Sequence, residues 1–400
     1  MKDTSLVASS PRRIRQNNEI AALQALHRAK RLSRADLARA LNLNRSSSGH
    51  IIAELTVAGL VREMEDDRSF PREHARAGRP GVMIELVPDA VLFIGIEIGV
   101  EHITTVRIGL SGAVAHSRTE PFDGPAHSAA DAIRHAVKGA LADLSPEDIE
   151  RLEGVGISTP SQLRPDGTVH LAPLLGWKNV NLSDLARQYL PGRVPVMVEN
   201  DANAFAIGAG YSGLEMAGGV TLFVVMESGV GGGIVIDGKL LRGAHGLAGE
   251  IGHMLIPTED GAARNLEEVV GLGSILTLYR KQTGRREASL EDFLADVEDR
   301  APEAVAIAEI WAKALGHALA QTCRIIDPDR IVLGGSVAKL LPLIASRLTA
   351  HMKNAQEPGF PLPVVLLNAE ANSGSAYGAA CMLHQRYLSL ESNRFADEPA

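Results

Sequence analysis

Apolar residues in the first eighty-odd positions recur at helical spacing, whereas later ones gather into short runs broken by glycines, so the chain reads as two unlike parts. Ile20, Leu23 and Leu26 share one face of a helix predicted from about residue 13 to 29, and Arg28, Lys30 and Arg31 suit its negative C-terminal end. Ser33, with Asp36 three residues on, is placed to cap a second helix that runs to Leu41. After a turn at 42–44, Asn44 is placed to cap a third helix, Arg45 to Ala58, with Ile51, Ile52 and Leu55 turned inward and Gly59 as its stop. Two short helices on a tight turn form a helix-turn-helix. LVREM at 60–64 and VMIELV at 82–87 flank a polar, basic stretch and read as a β-hairpin, the wing of a winged helix-turn-helix.

Beyond Pro88 the runs VLFIGIEIGV (91–100) and ITTVRIGL (103–110) lead to a turn at Ser111-Gly112, and a related pattern returns at 220–240. Strand, glycine turn, strand is thus used twice, which predicts two α/β lobes built alike with a ligand cleft between them. A helix at about 303–326 carries Ile307, Ile310, Trp311, Ala314, Leu315, Ala318 and Leu319 at helical spacing and leads into the strand IVLGG, as a buried crossover helix does. The predicted divisions are a tail at 1–12, a winged helix-turn-helix at 13–87 and an α/β domain at 88–400. Within the last, lobe one spans about 91–199 with a C-terminal helix at 376–390, and lobe two spans about 200–375.

Charge sharpens this division. The net charge of −8 conceals 15 Lys/Arg against 9 Asp/Glu in residues 1–80, followed by 25 against 39 in the remainder, so a polyanion would meet the N-terminal part and be repelled by the rest. A recognition helix presents its first turn to base edges, which makes Arg45, Ser46, Ser47, Ser48 and His50 the candidate readers, while Arg62, Arg68, Arg72, Arg76 and Arg79 are candidates for phosphate contacts. A three-helix interaction module with merely solvated arginines is the alternative. The two cysteines, Cys323 and Cys381, sit inside apolar helical patterns and offer neither a disulfide framework nor a paired-cysteine metal motif. No apolar signal core opens the chain and no run is suited to span a membrane, so a cytoplasmic location is expected.

Five motifs in order carry a family resemblance: ENDAN at 199–203, SGVGGGIVIDGKL at 228–240, GLAGEIGHM at 246–254, DPDRIVLGG at 327–335 and GSAYGAA at 374–380. From about residue 91 to 390 the chain resembles the ROK family of sugar kinases and repressors, whose two-lobed, ribonuclease H-like fold belongs with actin and hexokinase. With a winged helix in front it resembles the repressor branch, which includes xylose and N-acetylglucosamine regulators. The resemblance implies that Asn200, Asp201, Glu250, His253 and Glu267 grasp the hydroxyls of a small carbohydrate, with Asp201 in the place of the kinases' catalytic base. Carboxylates and amides suit that task because each can bond two neighbouring hydroxyls. Read singly, Asn200 and Asp201 could instead be a helix cap and His253 a satisfied core histidine.

Two departures from the family pattern matter. Where its kinases have Asp-x-Gly-Gly-Thr, this chain has Glu97-Ile98-Gly99-Val100-Glu101, and the second glycine turn carries Glu227-Ser228 in place of Gly-Thr. Acids where phosphates are cradled predict a vestigial base at Asp201 and no phosphoryl transfer. Gly334 and Gly335 match the adenosine-side motif and are equally accounted for by close strand–helix packing. The loop 257–271, which binds structural zinc through cysteines in many members, has none, and His245, Glu259 and Asp260 lack ligand spacing, so no zinc or other cofactor is expected. Packing by Leu255, Ile256 and Leu266 is expected to order it instead. The family's oligomers imply a homodimer or homotetramer on double-stranded operator DNA. The leading expectation is a sugar-responsive transcriptional regulator; an active carbohydrate kinase with an added DNA-binding domain and a DNA-binding protein with a purely structural large domain are the alternatives.

Overall fold

The computed structural model describes residues 11–64, 82–192, 194–211, 218–258, 261–368 and 374–389. Three helices, Pro11–Ala29, Arg34–Ala40 and Arg45–Val57, open the described chain. Both predicted caps form: the Ser33 hydroxyl accepts from the Asp36 N–H at 3.1 Å, and Asn44 Oδ1 accepts from the Ser47 N–H at 2.8 Å. The strands Val61–Met64 and Met83–Leu86 pair antiparallel as the wing requires. A third strand, Arg31–Ser33, joins the other edge of Met83–Leu86. Three residues are too few to show an alternation, and the strand exists because Lys30, in the left-handed region at φ 65°, turns the chain sharply after the first helix. Leu23, Leu26, Leu37, Ile52 and Ile84 close the core of this unit.

The rest is a layered α/β structure. One five-stranded sheet has the spatial order Val196–Asn200, Leu152–Thr159, Leu92–Ile98, His102–Gly109, Val114–Pro121, parallel across its first three strands and antiparallel across the last two. A second has the order Lys239–Leu241, Val230–Ile236, Val220–Met226, Arg330–Gly334, Val364–Leu367. The helix Gly374–Tyr387 packs on the first sheet, the helix Asp201–Tyr211 on the second, and the two helices pack on each other between them. They approach backbone to backbone: a Cβ on Gly378 would lie 1.7 Å from the Ala204 carbonyl oxygen. The long helix Pro302–Ile326 buries Ile307, Trp311, Leu315 and Leu319 as its spacing predicts, while Ile310 is only half-buried. Among the described residues no helix is long and apolar enough to cross a membrane.

Candidate functional site

The strand Val196–Asn200 ends where the helix Asp201–Tyr211 begins, so Asn200 and Asp201 lie at a strand's carboxyl end, where open α/β sheets place their ligands. Asn200 does cap the helix, its Oδ1 accepting from the Asn203 N–H at 3.0 Å, but its amide also donates to the Ser161 carbonyl at 3.2 Å and faces the cleft. The cap reading holds, and the same side chain stands on the cleft wall. Behind them, buried Glu199 accepts from the Asn200 N–H at 3.0 Å and the Asn203 amide at 3.2 Å, and pairs with Arg242.

Glu250 and His253 arrive on a short turn, Ile251–His253, pressed against the strand Val230–Ile236. That approach needs Gly249, whose φ of +95° and whose absent Cβ, which would lie 2.1 Å from the Gly232 carbonyl oxygen, admit no side chain. His253 is half-exposed, 3.6 Å from the Glu250 carboxylate and 3.8 Å from that of Glu267, so it is not a core histidine. All five predicted residues, Asn200, Asp201, Glu250, His253 and Glu267, line a single cleft. Ser161, Gln162, Asn203 and Leu174 join them. Sequence reasoning missed Ser161 and Gln162 because they follow a strand without any motif; their place just past the carboxyl end of Leu152–Thr159 was the available signal.

Burial pushes the Asp201 carboxyl up to about 7, and the neighbouring Glu97 and Glu250 add to the shift. Glu250 is raised chiefly by burial, with Glu267 adding and His253 opposing. A carboxyl held at about 7, as Asp201 is, can donate as well as accept toward a hydroxyl.

Asp201 also borders a second chamber, lined by Glu97, Glu101, Glu227, His102 and Ser228. Two of its acids already hold hydrogen-bond donors. The Glu227 carboxylate accepts from the Ser336 N–H at 2.6 Å and from the Ser336 hydroxyl, directly after Gly334-Gly335, and Ser228 donates to Glu101. Burial raises Glu227, and pairing with Glu97, 3.8 Å away, raises His102. A triphosphate placed here would face the carboxylates of Glu97, Glu101 and Glu227.

In the N-terminal unit Arg45, Ser46 and His50 are exposed and Ser47 is half-buried. Ser48 departs from the expected outward position: it is 1% exposed, on the same face as Ile51, Ile52 and Leu55. Its spacing of three and four residues from Ile51 and Ile52 carries it inward. The Arg62 guanidinium and that of Arg31 both hold Glu85, each at 2.7 Å from Nε. Although burial alone would raise Glu85, the two arginines bring its carboxyl below the usual range. Arg68, Arg72, Arg76 and Arg79, like Glu259 and Asp260, lie outside the described residues.

The loop that brings in Glu267 is a hairpin of Leu255–Pro257 with Ala263–Asn265. Ile256 and Leu266 are buried and order it, but Leu255 is 69% exposed, contrary to expectation, because strand alternation turns it away from Ile256. The loop supplies no thiolate, and among the described residues no group of three His, Cys, Asp or Glu is placed to hold a metal.

The chain is similar to a xylose repressor of Caldicellulosiruptor bescii, 26% identical over 360 residues, covering 84% of this chain and 87% of the relative. It is also similar to a glucokinase of Halalkalibacterium halodurans, 27% identical over 331 residues, covering 75% of this chain and 97% of the relative. Among solved structures, a ROK family transcriptional regulator, a homolog of the E. coli MLC protein, superposes with a TM-score of 0.73 at 23% identity over 94% of this chain and 97% of its own. A ROK glucokinase from Streptomyces griseus, in complex with glucose and AMPPNP, superposes with a TM-score of 0.65 at 24% identity over 74% of this chain and 99% of its own. The ROK family model matches residues 93–386, which include the whole of the cleft described above, and the chain belongs to the ROK family.

Proposed function

We propose that this protein is a DNA-binding transcriptional repressor whose ROK domain binds a small carbohydrate and does not phosphorylate it. The observation that carries the reading is the pairing of a cleft lined by hydroxyl-grasping Asn200, Asp201, Glu250, His253 and Glu267 with a neighbouring chamber closed by Glu97, Glu101 and Glu227. Relatives named xylose repressors, which align over most of the chain, support it. Glucokinase relatives and Asp201 at the base position favour the second reading, an active kinase.

A contact path joins the cleft to the DNA-binding unit. The helix that starts at Asp201 in the cleft ends at Tyr211, whose ring lies 5.3 Å from that of His27 on the first helix of the winged unit. His384 completes the group, 5.0 Å from His27. Because the Leu110 carbonyl can only accept, His384 Nε2 carries the proton and donates to it at 2.7 Å, so its Nδ1 accepts from the Tyr211 hydroxyl. Burial lowers His384 to about 4, which keeps it neutral in this role. Gln24 adds a second tie across the same junction, donating to the Leu388 carbonyl at 2.7 Å. A sugar that moves the start of this helix therefore displaces the base of the winged unit, and a differential affinity of about 1–3 kcal/mol suffices for regulation. In a two-fold dimer that displacement changes the spacing of two recognition helices against operator half-sites.

The decisive measurement is ATP consumption across a sugar panel together with calorimetric sugar binding and an operator mobility shift. Expected are sugar binding lost in Glu250→Ala, an operator complex weakened by sugar and by Arg45→Ala, and no turnover. Turnover that disappears in Asp201→Asn would establish the kinase instead.

Tyr211→Phe is expected to leave sugar affinity unchanged while making operator binding insensitive to sugar, with a stability loss of about 1–3 kcal/mol from the unpaired His384 nitrogen. Operator release that still follows sugar in this variant would place the coupling elsewhere.

A further inference from the structure

We infer that the ROK domain carries a second ligand site, for a small organic anion with an apolar body, on the flank of the helix Asp201–Tyr211. A cavity of about 550 Å³ opens there, some two turns beyond Asp201, between this helix, the helix Gly374–Tyr387 and the hairpin of Val230–Ile236 with Lys239–Leu241. That volume accommodates a metabolite-sized molecule. It is separate from the cleft and the acid-lined chamber, with which it shares no lining residue.

The lining divides by chemistry. Ile207, Leu240 and Met382 form part of an apolar floor, and Lys239, Arg242 and Arg386 supply three cations, with no acid among the lining residues. Such a pocket stands out in a region, residues 81–400, that holds 39 Asp/Glu against 25 Lys/Arg. Arg386 is half-buried, yet among the described residues its guanidinium has no ion pair or hydrogen bond, and the same holds for the Lys239 ammonium. A partly desolvated guanidinium that no described residue pairs is suited to an anionic head group, which it can hold in bidentate geometry. Three converging cations over an apolar floor fit a phosphate monoester or a carboxylate on a flat or aliphatic body, in preference to an inorganic ion.

Arg242 links this site to the cleft. It pairs with Glu199, which in turn accepts from the Asn200 N–H and the Asn203 amide. A guanidinium has five N–H donors, so Arg242 can hold Glu199 and a ligand anion together. The second ligand thereby stiffens the backbone that presents Asn200 and Asp201, and by linkage each ligand raises the affinity for the other.

The site is tested on the full-length protein by calorimetry with phenyl phosphate, benzoate, phenol and inorganic phosphate, none of which depends on the cleft's own ligand being a sugar. Saturable binding of phenyl phosphate or benzoate is expected, about tenfold or more weakened in the Lys239→Gln/Arg386→Gln double variant, with phenol and inorganic phosphate weaker by a similar factor. Which organic anion binds more tightly identifies the head group. Asp201→Asn is expected to keep this binding, so failure of the sugar reading leaves it intact. The proposal is overturned if neither organic anion binds, if the double variant binds equally well with an unchanged melting temperature, if inorganic phosphate matches phenyl phosphate, or if Asp201→Asn abolishes binding.

Discussion

Gly378→Ala is expected to destabilise the protein by about 3 kcal/mol or more and, on the proposed function, to uncouple operator binding from the carbohydrate. On helix propensity alone the sign would be opposite, since alanine is favoured over glycine inside a helix by about 1 kcal/mol. Packing wins because the added Cβ would stand 1.7 Å from the Ala204 carbonyl oxygen, a backbone atom that no rotamer change can move. The partner helix is equally tight: a Cβ on Gly208 would lie 2.9 Å from the Gly378 nitrogen. The two helices must separate, and one of them is the element that joins Asp201 to Tyr211. Gly273→Ala is the control, because a Cβ there meets nothing within 4 Å and lies in the helix Leu272–Thr283. Denaturant midpoints of the two variants decide the matter. A Gly378→Ala protein as stable as Gly273→Ala would mean that the helices do not meet in this way.

Asp201→Asn is expected to stabilise the protein above neutral pH and, on the proposed function, to remove carbohydrate binding. The Asp201 carboxyl titrates near 7 in the folded protein against an ordinary 3.8, raised first by burial and then by Glu97 and Glu250. The folded state therefore holds a proton that the unfolded chain has released. The stabilisation this provides is complete below the unfolded value and is lost as pH rises through about 7. Asparagine mimics the protonated form at every pH. At pH 8 the variant should exceed the parent by about 2–4 kcal/mol, a range discounted because the residue opens onto the cleft, and near pH 4 the two should agree. Urea unfolding at both pH values measures the difference. An equal gap at the two pH values would show that the effect is packing and not titration.

The same pattern of what was and was not legible runs through the molecule. Ser33 and Asn44 were readable as caps because each bonds a backbone N–H three residues away, a relation that spacing alone encodes. The five cleft residues were readable because the order of their motifs matched a family, even though they lie up to 67 positions apart, from Asn200 to Glu267. Ser48 is not legible from its place in the first turn of Arg45–Val57, because its Cβ shares the inward face with Ile51 and Ile52. The charge of Arg62 can be counted in the sequence but its partner cannot: Glu85 lies 23 residues away and is met only when the two strands pair. Leu255 illustrates the converse, an apolar residue on the outward side of a three-residue strand.

The sequence by itself determined the division into a basic helical front and an acidic α/β body, the capped helices, and the acids at 97, 101 and 227. These follow from periodicity, charge and hydrogen bonds that close within a few residues. Tertiary structure alone decided that Glu227 caps the Ser336 turn 109 residues away, that Tyr211 meets His27 and His384, and that Lys239, Arg242 and Arg386 converge on one cavity. Such meetings depend on how sheets and helices stack, and stacking is set by the summed burial of many apolar side chains, a quantity that no local pattern records.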